Sequence, residues 1–210
     1  FNDLEALEDG RVRSAFVARK PAGTSGMTRT KTHATLCFST KEAAETVEAP
    51  KDLPDPDMVF RDGFEIPADR LYAELVPFGP AYRNVKDAAI LSETGAAADV
   101  LARLHYALDG PLGSPFPLDA AFHVACAWGQ RHAGVVAFPV GLAKRRIVRP
   151  ARPGERYRVV VRPVGNEAET LVFDMAVYDA DGAIREWAGG VRMRDVSGGR
   201  LKPPDWVVRT

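Results

Sequence analysis

Ser114-Pro-Phe-Pro-Leu-Asp-Ala-Ala-Phe-His-Val-Ala-Cys-Ala-Trp-Gly-Gln130 carries one long helix on which the other segments are arranged. Pro117 fixes a helix start, and the residues after it are nearly all small or apolar, the composition of a helix buried on most sides. The exceptions fall in line. Asp119, His123, Cys126 and Gln130 recur at i, i+4, i+7 and i+11, so they share one face. A solvated face carries Lys, Glu or Arg, whereas an acid, an imidazole, a thiol and an amide compose the wall of a pocket.

Structural readings stand beside that one. Asp119 lies in the first turn, where a carboxylate is favoured by unpaired amides and the helix dipole. A lone histidine on an apolar helix is ordinarily a satisfied core residue. The pairing argues for chemistry, because Asp119 and His123 are one turn apart on a helix with little other reason to bury a charge.

Composition bounds the function. The 210 residues carry 28 Lys plus Arg against 28 Asp plus Glu, so no net field draws the chain to nucleic acid or an anionic membrane. No run approaches a membrane span and no signal peptide opens the chain, which makes the cytoplasm the expected compartment. Cys37 and Cys126 have no metal-ligand spacing, and neither a phosphate loop nor a dinucleotide fingerprint occurs, so neither metal nor cofactor is expected. The chain begins at Phe1 rather than Met, as expected of a piece of a longer protein.

Outward from the helix, the flanks read as strands. After the turn signal Asp9-Gly10, Arg11 to Arg19 alternates as a strand, and Thr28 to Phe38 forms a second on which His33 is exposed. Glu48 to Asp62 carries Pro50, Pro54, Pro56 and five acidic residues, which is linker composition. Only two strands precede it, too few for a stable unit alone. Beyond it come a short helix from Ala68 to Leu75, a turn at Phe78-Gly79-Pro80, strands Val85 to Glu93 and Ala98 to Ala107, and a Gly/Pro-rich loop from Asp109 to Pro117.

After the helix the pattern is β. Val135 to Val148 reads as one long strand broken near Pro139 and Gly141, followed by Arg156 to Val164 and Glu169 to Tyr178. Asp179-Ala-Asp-Gly182 is a hairpin signal into Ala183 to Val196, where Gly189-Gly190 marks a bulge or close backbone approach. One apolar helix with strands before and after it implies a curled antiparallel sheet around a helix, an α+β class.

Several of these pieces, in this order, resemble the dehydratase domains of polyketide synthases and polyunsaturated fatty acid synthases, which are double hot-dog folds. Leu118-Asp119-Ala-Ala-Phe-His123 is similar to the family's Asp-x-x-x-Gln/His motif on the long helix of the second hot-dog. Phe78-Gly-Pro-Ala-Tyr82 resembles its Tyr-Gly-Pro-x-Phe motif with the two aromatics exchanged. His33-Ala34 resembles a non-catalytic pair late in the first hot-dog, and Gly190-Val-Arg-Met-Arg194 resembles the family's closing strand. The resemblance implies late strands of a first hot-dog in 1–47, a linker in 48–66, a second hot-dog in 67–196 and a tail in 197–210.

It also implies a mechanism. In such enzymes a 3-hydroxyacyl thioester on the phosphopantetheine arm of an acyl carrier protein loses water to give a 2-enoyl thioester, with no further cofactor. A histidine of the first hot-dog removes the proton beside the thioester carbonyl, while the aspartate of the second donates a proton to the departing hydroxyl. By the match, Asp119 is that acid and His123 orients it. Asp119 must then hold a proton near neutral pH, so desolvation, with Phe116, Phe122 and Trp128 nearby, has to outweigh the helix dipole. Tyr82, Gly79, Pro80, Phe122 and Cys126 are the candidate substrate-binding residues; core packing is the competing reading for Tyr82 and Cys126.

One part of the family pattern is absent. Its base sits in a His-x-x-x-Gly-x-x-x-x-Pro motif, and none of His33, His105, His123 or His132 occupies one. The simplest expectation is that the front of the first hot-dog lies outside these residues. The alternatives are a catalytically silent double hot-dog that binds acyl carrier protein or scaffolds a synthase, and a hot-dog thioesterase that directs water at the thioester. Partners implied are acyl carrier protein, other synthase domains and, as is common in the family, a second copy of the chain. The cluster Lys144, Arg145, Arg146, Arg149 and Arg152 reads as an acidic-partner contact or as a solvated strand edge.

Overall fold

The turn signal at Asp9-Gly10 joins two strands rather than preceding the first. In the computed structural model, which describes residues 1–22, 27–39, 50, 52, 53, 55, 57, 61, 63–103, 112–167 and 169–208, β1 (Asn2–Ala6), β2 (Val12–Ala22) and β3 (Met27–Phe38) form an antiparallel sheet in that order. Gly10 makes the turn at φ +79°, a conformation that favours glycine, and Leu7 N–H donates to Arg11 O at 2.8 Å. β2 runs on through Pro21, past the Arg19 end read from the sequence. The register between β2 and β3 skips His33, so this exposed residue is the extra one of a bulge.

Alternation sorts this sheet into two faces. Leu4, Val12, Phe16, Leu36 and Phe38 share one face and are all exposed, while Ser14 among them is buried and donates its hydroxyl to Asn2 Oδ1 at 2.8 Å. The other face carries Asp3, Glu5 and Arg13, with ion pairs from Arg13 to Glu5 and from Arg19 to Asp3. The chain divides into two compact units, Phe1–Glu48, which holds this sheet, and Ala49–Thr210. Most of the Pro-rich acidic stretch lies outside the described residues, as does His105.

In the second unit small side chains let the helix lie directly on a sheet. A short helix α1 (Ala68–Arg70) runs into a π turn (Leu71–Leu75), and the long helix α2 spans Phe116–His132. Strands β4 (Phe64–Pro67), β5 (Val85–Leu91), β6 (Ala96–Leu101), β7 (Phe138–Gly141), β8 (Lys144–Ile147), β9 (Arg156–Glu167), β10 (Thr170–Tyr178) and β11 (Ile184–Arg194) make one antiparallel sheet. Its order is β4-β5-β6-β9-β10-β11-β7, with β8 also paired to β11. The curled sheet around a helix, and with it the α+β class, is the arrangement the sequence implies.

Ala120, Ala121, Ala125 and Ala127 of α2 are fully buried, as are Ala98 and Val100 of β6, Val159 and Val161 of β9, and Phe173 and Met175 of β10. Burying a side chain of the size of Phe173 contributes about 1.5–3 kcal/mol. The hairpin at Asp179–Gly182 forms as its residues indicate: Asp179 Oδ1 accepts from Asp181 N and Ala183 N, and Gly182 has φ +78°. Gly189 and Gly190 together oppose Asp174, giving the expected bulge, and Asp174 Oδ1 accepts from Gly190 N at 3.0 Å.

Two expectations need correction. Val135 to Val148 breaks after Gly141 as expected, but Pro139 lies within β7 and the two four-residue halves do not continue one strand, because β7 pairs with Arg192–Arg194 and β8 with Glu186–Gly189. Trp128 does not stand beside Asp119. It lies toward the helix C-terminus, donates Nε1–H to Ser92 O at 2.9 Å, and packs edge-on against Phe173.

Candidate active site

The polar stripe of α2 faces the π turn and the loop that follows it. A π turn closes its hydrogen bonds over five residues, here Val76 N–H to Leu71 O at 2.9 Å, and the wider loop carries Tyr72 and Leu75 into the core. Leu75 O accepts from Gln130 Nε2 at 3.1 Å, so the far end of the stripe is tied to this turn. Gln130 also reaches Cys126 Sγ at 3.5 Å. Cys126 is buried and its thiol is pushed up to about 11 by desolvation, so it behaves as a small core residue.

At the other end Asp119 and His123 meet. His123 Nε2 lies 3.2 Å from Asp119 Oδ2, with the imidazole 3% and the carboxylate 29% exposed. The approach is off the hydrogen-bonding direction, and Oδ2 is buried without a hydrogen bond. At the start of α2 the Ser114 hydroxyl accepts from Phe116 N–H at 3.4 Å, and burial alone acts on the Asp119 carboxylate, with no backbone amide bound to it. Burial raises Asp119 from 3.8 to about 6 and lowers His123 from 6.5 to about 4. Desolvation is the cause of both shifts, as it disfavours the charged form of each group.

Aromatic rings enclose the imidazole. Phe78 stacks on His123 with centroids 4.7 Å apart and planes at 20°, and Tyr72 meets it edge-on at 5.7 Å. The Tyr72 oxygen accepts from Asn84 N and Val85 N, both at 3.0 Å, and lies 3.5 Å from His123 Nδ1. Burial holds the phenol above its usual range.

The remaining candidates divide. Gly79 precedes the 3₁₀ turn Pro80–Tyr82 with φ −66° and open space around its α-carbon, so neither strain nor crowding requires glycine there. Tyr82 is half-exposed, 6.3 Å from the Phe78 ring and edge-on to Phe116 at 6.0 Å. Phe122 packs against the core as a partly buried side chain. In the basic cluster, Arg145 is committed to the buried Glu186 at 2.5 Å, while Lys144 and Arg149 are exposed.

Sequence reading missed Tyr72 and the direct role of Phe78. The buried run Leu71, Tyr72, Leu75 and Val76 shows a one-turn spacing that marks an inward face, but nothing in it singles out the phenol. Near the Gln130 end, a cleft of about 230 Å³ is lined by residues including Phe78, Val76, Gln130, Phe138 and Leu201. No group of described residues has metal-ligand geometry.

An acid raised toward neutrality beside a neutral imidazole can deliver a proton to a leaving oxygen. No curated protein matches the chain. Among solved structures it is similar to the dehydratase domain of RzxB from Pseudomonas fluorescens, with TM-score 0.63 and 17% identity over 92% of this chain and 67% of that one. The dehydratase domain of a mycocerosic acid synthase-like polyketide synthase matches with TM-score 0.67 and 18% identity, over 92% of this chain and 68% of that one. For the dehydratase domain from the CurF module of curacin polyketide synthase the values are 0.67 and 15%, over 91% and 66%. The chain thus spans about two thirds of these domains and shares their hot-dog fold. A family model described as the polyketide synthase dehydratase N-terminal domain matches residues 48–203, and the chain belongs to the polyketide synthase dehydratase family.

Proposed function

We propose that this chain serves as a dehydratase domain of a polyketide or fatty acid synthase, converting a 3-hydroxyacyl thioester on acyl carrier protein to the 2-enoyl thioester and water. The observation that carries the reading is the buried pair on α2, an acid raised to about 6 beside an imidazole lowered to about 4. A base takes the proton from C2, the C2 electron pair forms the double bond as the C3–O bond breaks, and Asp119 protonates the departing hydroxyl. His123 is unsuited to be that base, since it is weakly basic and its two nitrogens face Tyr72 and Asp119. Its role is to orient the acid, and the base comes from another residue. Gly79, Pro80, Tyr82 and Phe122 remain candidate substrate contacts. Acyl carrier protein, neighbouring synthase domains and a second copy of the chain are the proposed partners, in the cytoplasm.

The test offers the protein at its full natural length crotonyl- and 3-hydroxybutyryl-pantetheine and follows their interconversion by mass spectrometry beside Asp119→Asn. Interconversion abolished by the substitution supports the dehydratase. Turnover indifferent to Asp119 removes the acid role, release of free pantetheine thiol identifies a thioesterase, and no turnover identifies a silent domain.

A further inference from the structure

We infer that Tyr72 is a positioning residue that fixes the tautomer of His123, and through it decides which oxygen of Asp119 carries the acid proton. The inference deepens the dehydratase reading and rests on it for its catalytic meaning, while its geometry stands alone.

A phenol oxygen has two lone pairs and one proton. Asn84 N–H and Val85 N–H, both at 3.0 Å, occupy the two acceptor positions of Tyr72. The hydroxyl proton therefore has one direction left, toward His123 Nδ1 at 3.5 Å, the outer limit of a hydrogen bond. Catalytic contacts are commonly long before substrate binds. An Nδ1 that accepts leaves the ring proton of a neutral imidazole on Nε2. That nitrogen is the one 3.2 Å from Asp119 Oδ2.

The consequence falls on the acid. The Asp carboxyl torsion is soft, so a small rotation brings Oδ2 into line with Nε2–H. With Oδ2 committed as an acceptor, the proton of the neutral acid resides on Oδ1, away from the histidine, where it is available for transfer. The opposite tautomer would place a bare lone pair against Oδ2 and draw the acid's proton into the pair. Of the charged groups that act on the Tyr72 phenol, the Asp119 carboxylate belongs to the pair itself and the Arg103 guanidinium is bound to Arg83 O, at 2.8 Å from one nitrogen. Neither donates to Nδ1. A glutamine at position 123 could serve the same relay, accepting from Tyr72 through its oxygen and donating to Asp119 through its amide nitrogen.

The test labels the whole chain with 15N-histidine and reads the His123 ring nitrogens in the wild type, in Tyr72→Phe, and at neutral pH. The expected result is a single tautomer with the proton on Nε2 in the wild type and a mixture of both tautomers in Tyr72→Phe. A wild-type ring protonated on Nδ1, or an unchanged single tautomer in the variant, overturns the inference. Tyr72→Phe leaves two buried amides without an acceptor; if it does not fold, the wild-type Tyr72 hydroxyl proton decides. A slowly exchanging proton with a cross-peak to the His123 ring supports the relay, and a freely exchanging one overturns it. None of these readouts needs turnover, so failure of the dehydratase reading and failure of the relay are separate results. Where turnover is present, His123→Gln is expected to retain at least a tenth of the wild-type rate, and His123→Leu less than a hundredth; equal losses contradict the relay.

Discussion

Asp119→Asn is expected to stabilise the protein while abolishing proton donation. The folded chain holds the carboxyl at about 6 against 3.8 when unfolded, so the folded state prefers the protonated acid. Its favourable contribution is complete below 3.8 and is lost as pH rises through about 6. At 1.36 kcal/mol per pH unit, ionising Asp119 in the folded state at pH 8 costs about 3 kcal/mol, and about half of that at pH 5. The carboxylate is 29% exposed, and solvent trims the penalty, so about 2–3 kcal/mol is the working range. Asparagine keeps the shape, can accept from His123 Nε2–H through its oxygen, and never ionises. Urea unfolding followed by tryptophan fluorescence reports on the unit that matters, because Trp128, Trp187 and Trp206 all lie within Ala49–Thr210. The stability difference between variant and wild type should grow from near zero at about pH 3 to its plateau at about pH 8. A variant less stable than wild type at pH 8, or a difference independent of pH, would refute the reasoning.

Three further outcomes follow from the same structure. His123 has the opposite sign: its folded value of about 4 lies below 6.5, so stability present above 6.5 is lost as pH falls through 4, by up to about 3 kcal/mol, and His123→Gln should remove that slope in urea titrations. Cys126 is buried and raised to about 11 whereas Cys37 is exposed, so an alkylating reagent at pH 8 should modify one thiol in the native protein and both after denaturation, as counted by mass spectrometry. Gly113 has φ +72° and an added Cβ would lie 2.6 Å from Ala151 O, so Gly113→Ala should cost about 2–4 kcal/mol in chemical denaturation and loosen the chain leading into α2.

What could be read from the sequence was what repeats on a short length scale. The α2 stripe, the Asp179–Gly182 hairpin and the Gly189-Gly190 bulge each rest on residues whose chemistry is local, and each appears in the structure. β1 was not legible, because Asn-Asp-Leu-Glu-Ala has little strand propensity and is held by its register with β2. A break near Gly141 could be read from Val135 to Val148, but that its halves β7 and β8 pair with different parts of β11 could not, since that follows from the register of β11 rather than from the broken segment itself. At the site, the Asp119–His123 pair was visible as one-turn spacing. The ring that stacks on it, Phe78, and the phenol behind it, Tyr72, were not, because both arrive through the π turn and its following loop, whose path depends on tertiary packing. The direction of the Asp119 shift was also beyond composition, since burial and the helix dipole oppose each other and only the packed surroundings decide.

Proton donation requires that Asp119 stay protonated close to neutrality beside a neutral imidazole. Carboxyl 13C NMR of aspartate-labelled protein, assigned with Asp119→Asn and titrated from pH 3 to 9, measures that directly. The predicted result is an Asp119 midpoint near 6 with His123 uncharged down to about 4. A midpoint at or below the ordinary 3.8, or a His123 that gains its proton before Asp119 does, would contradict it.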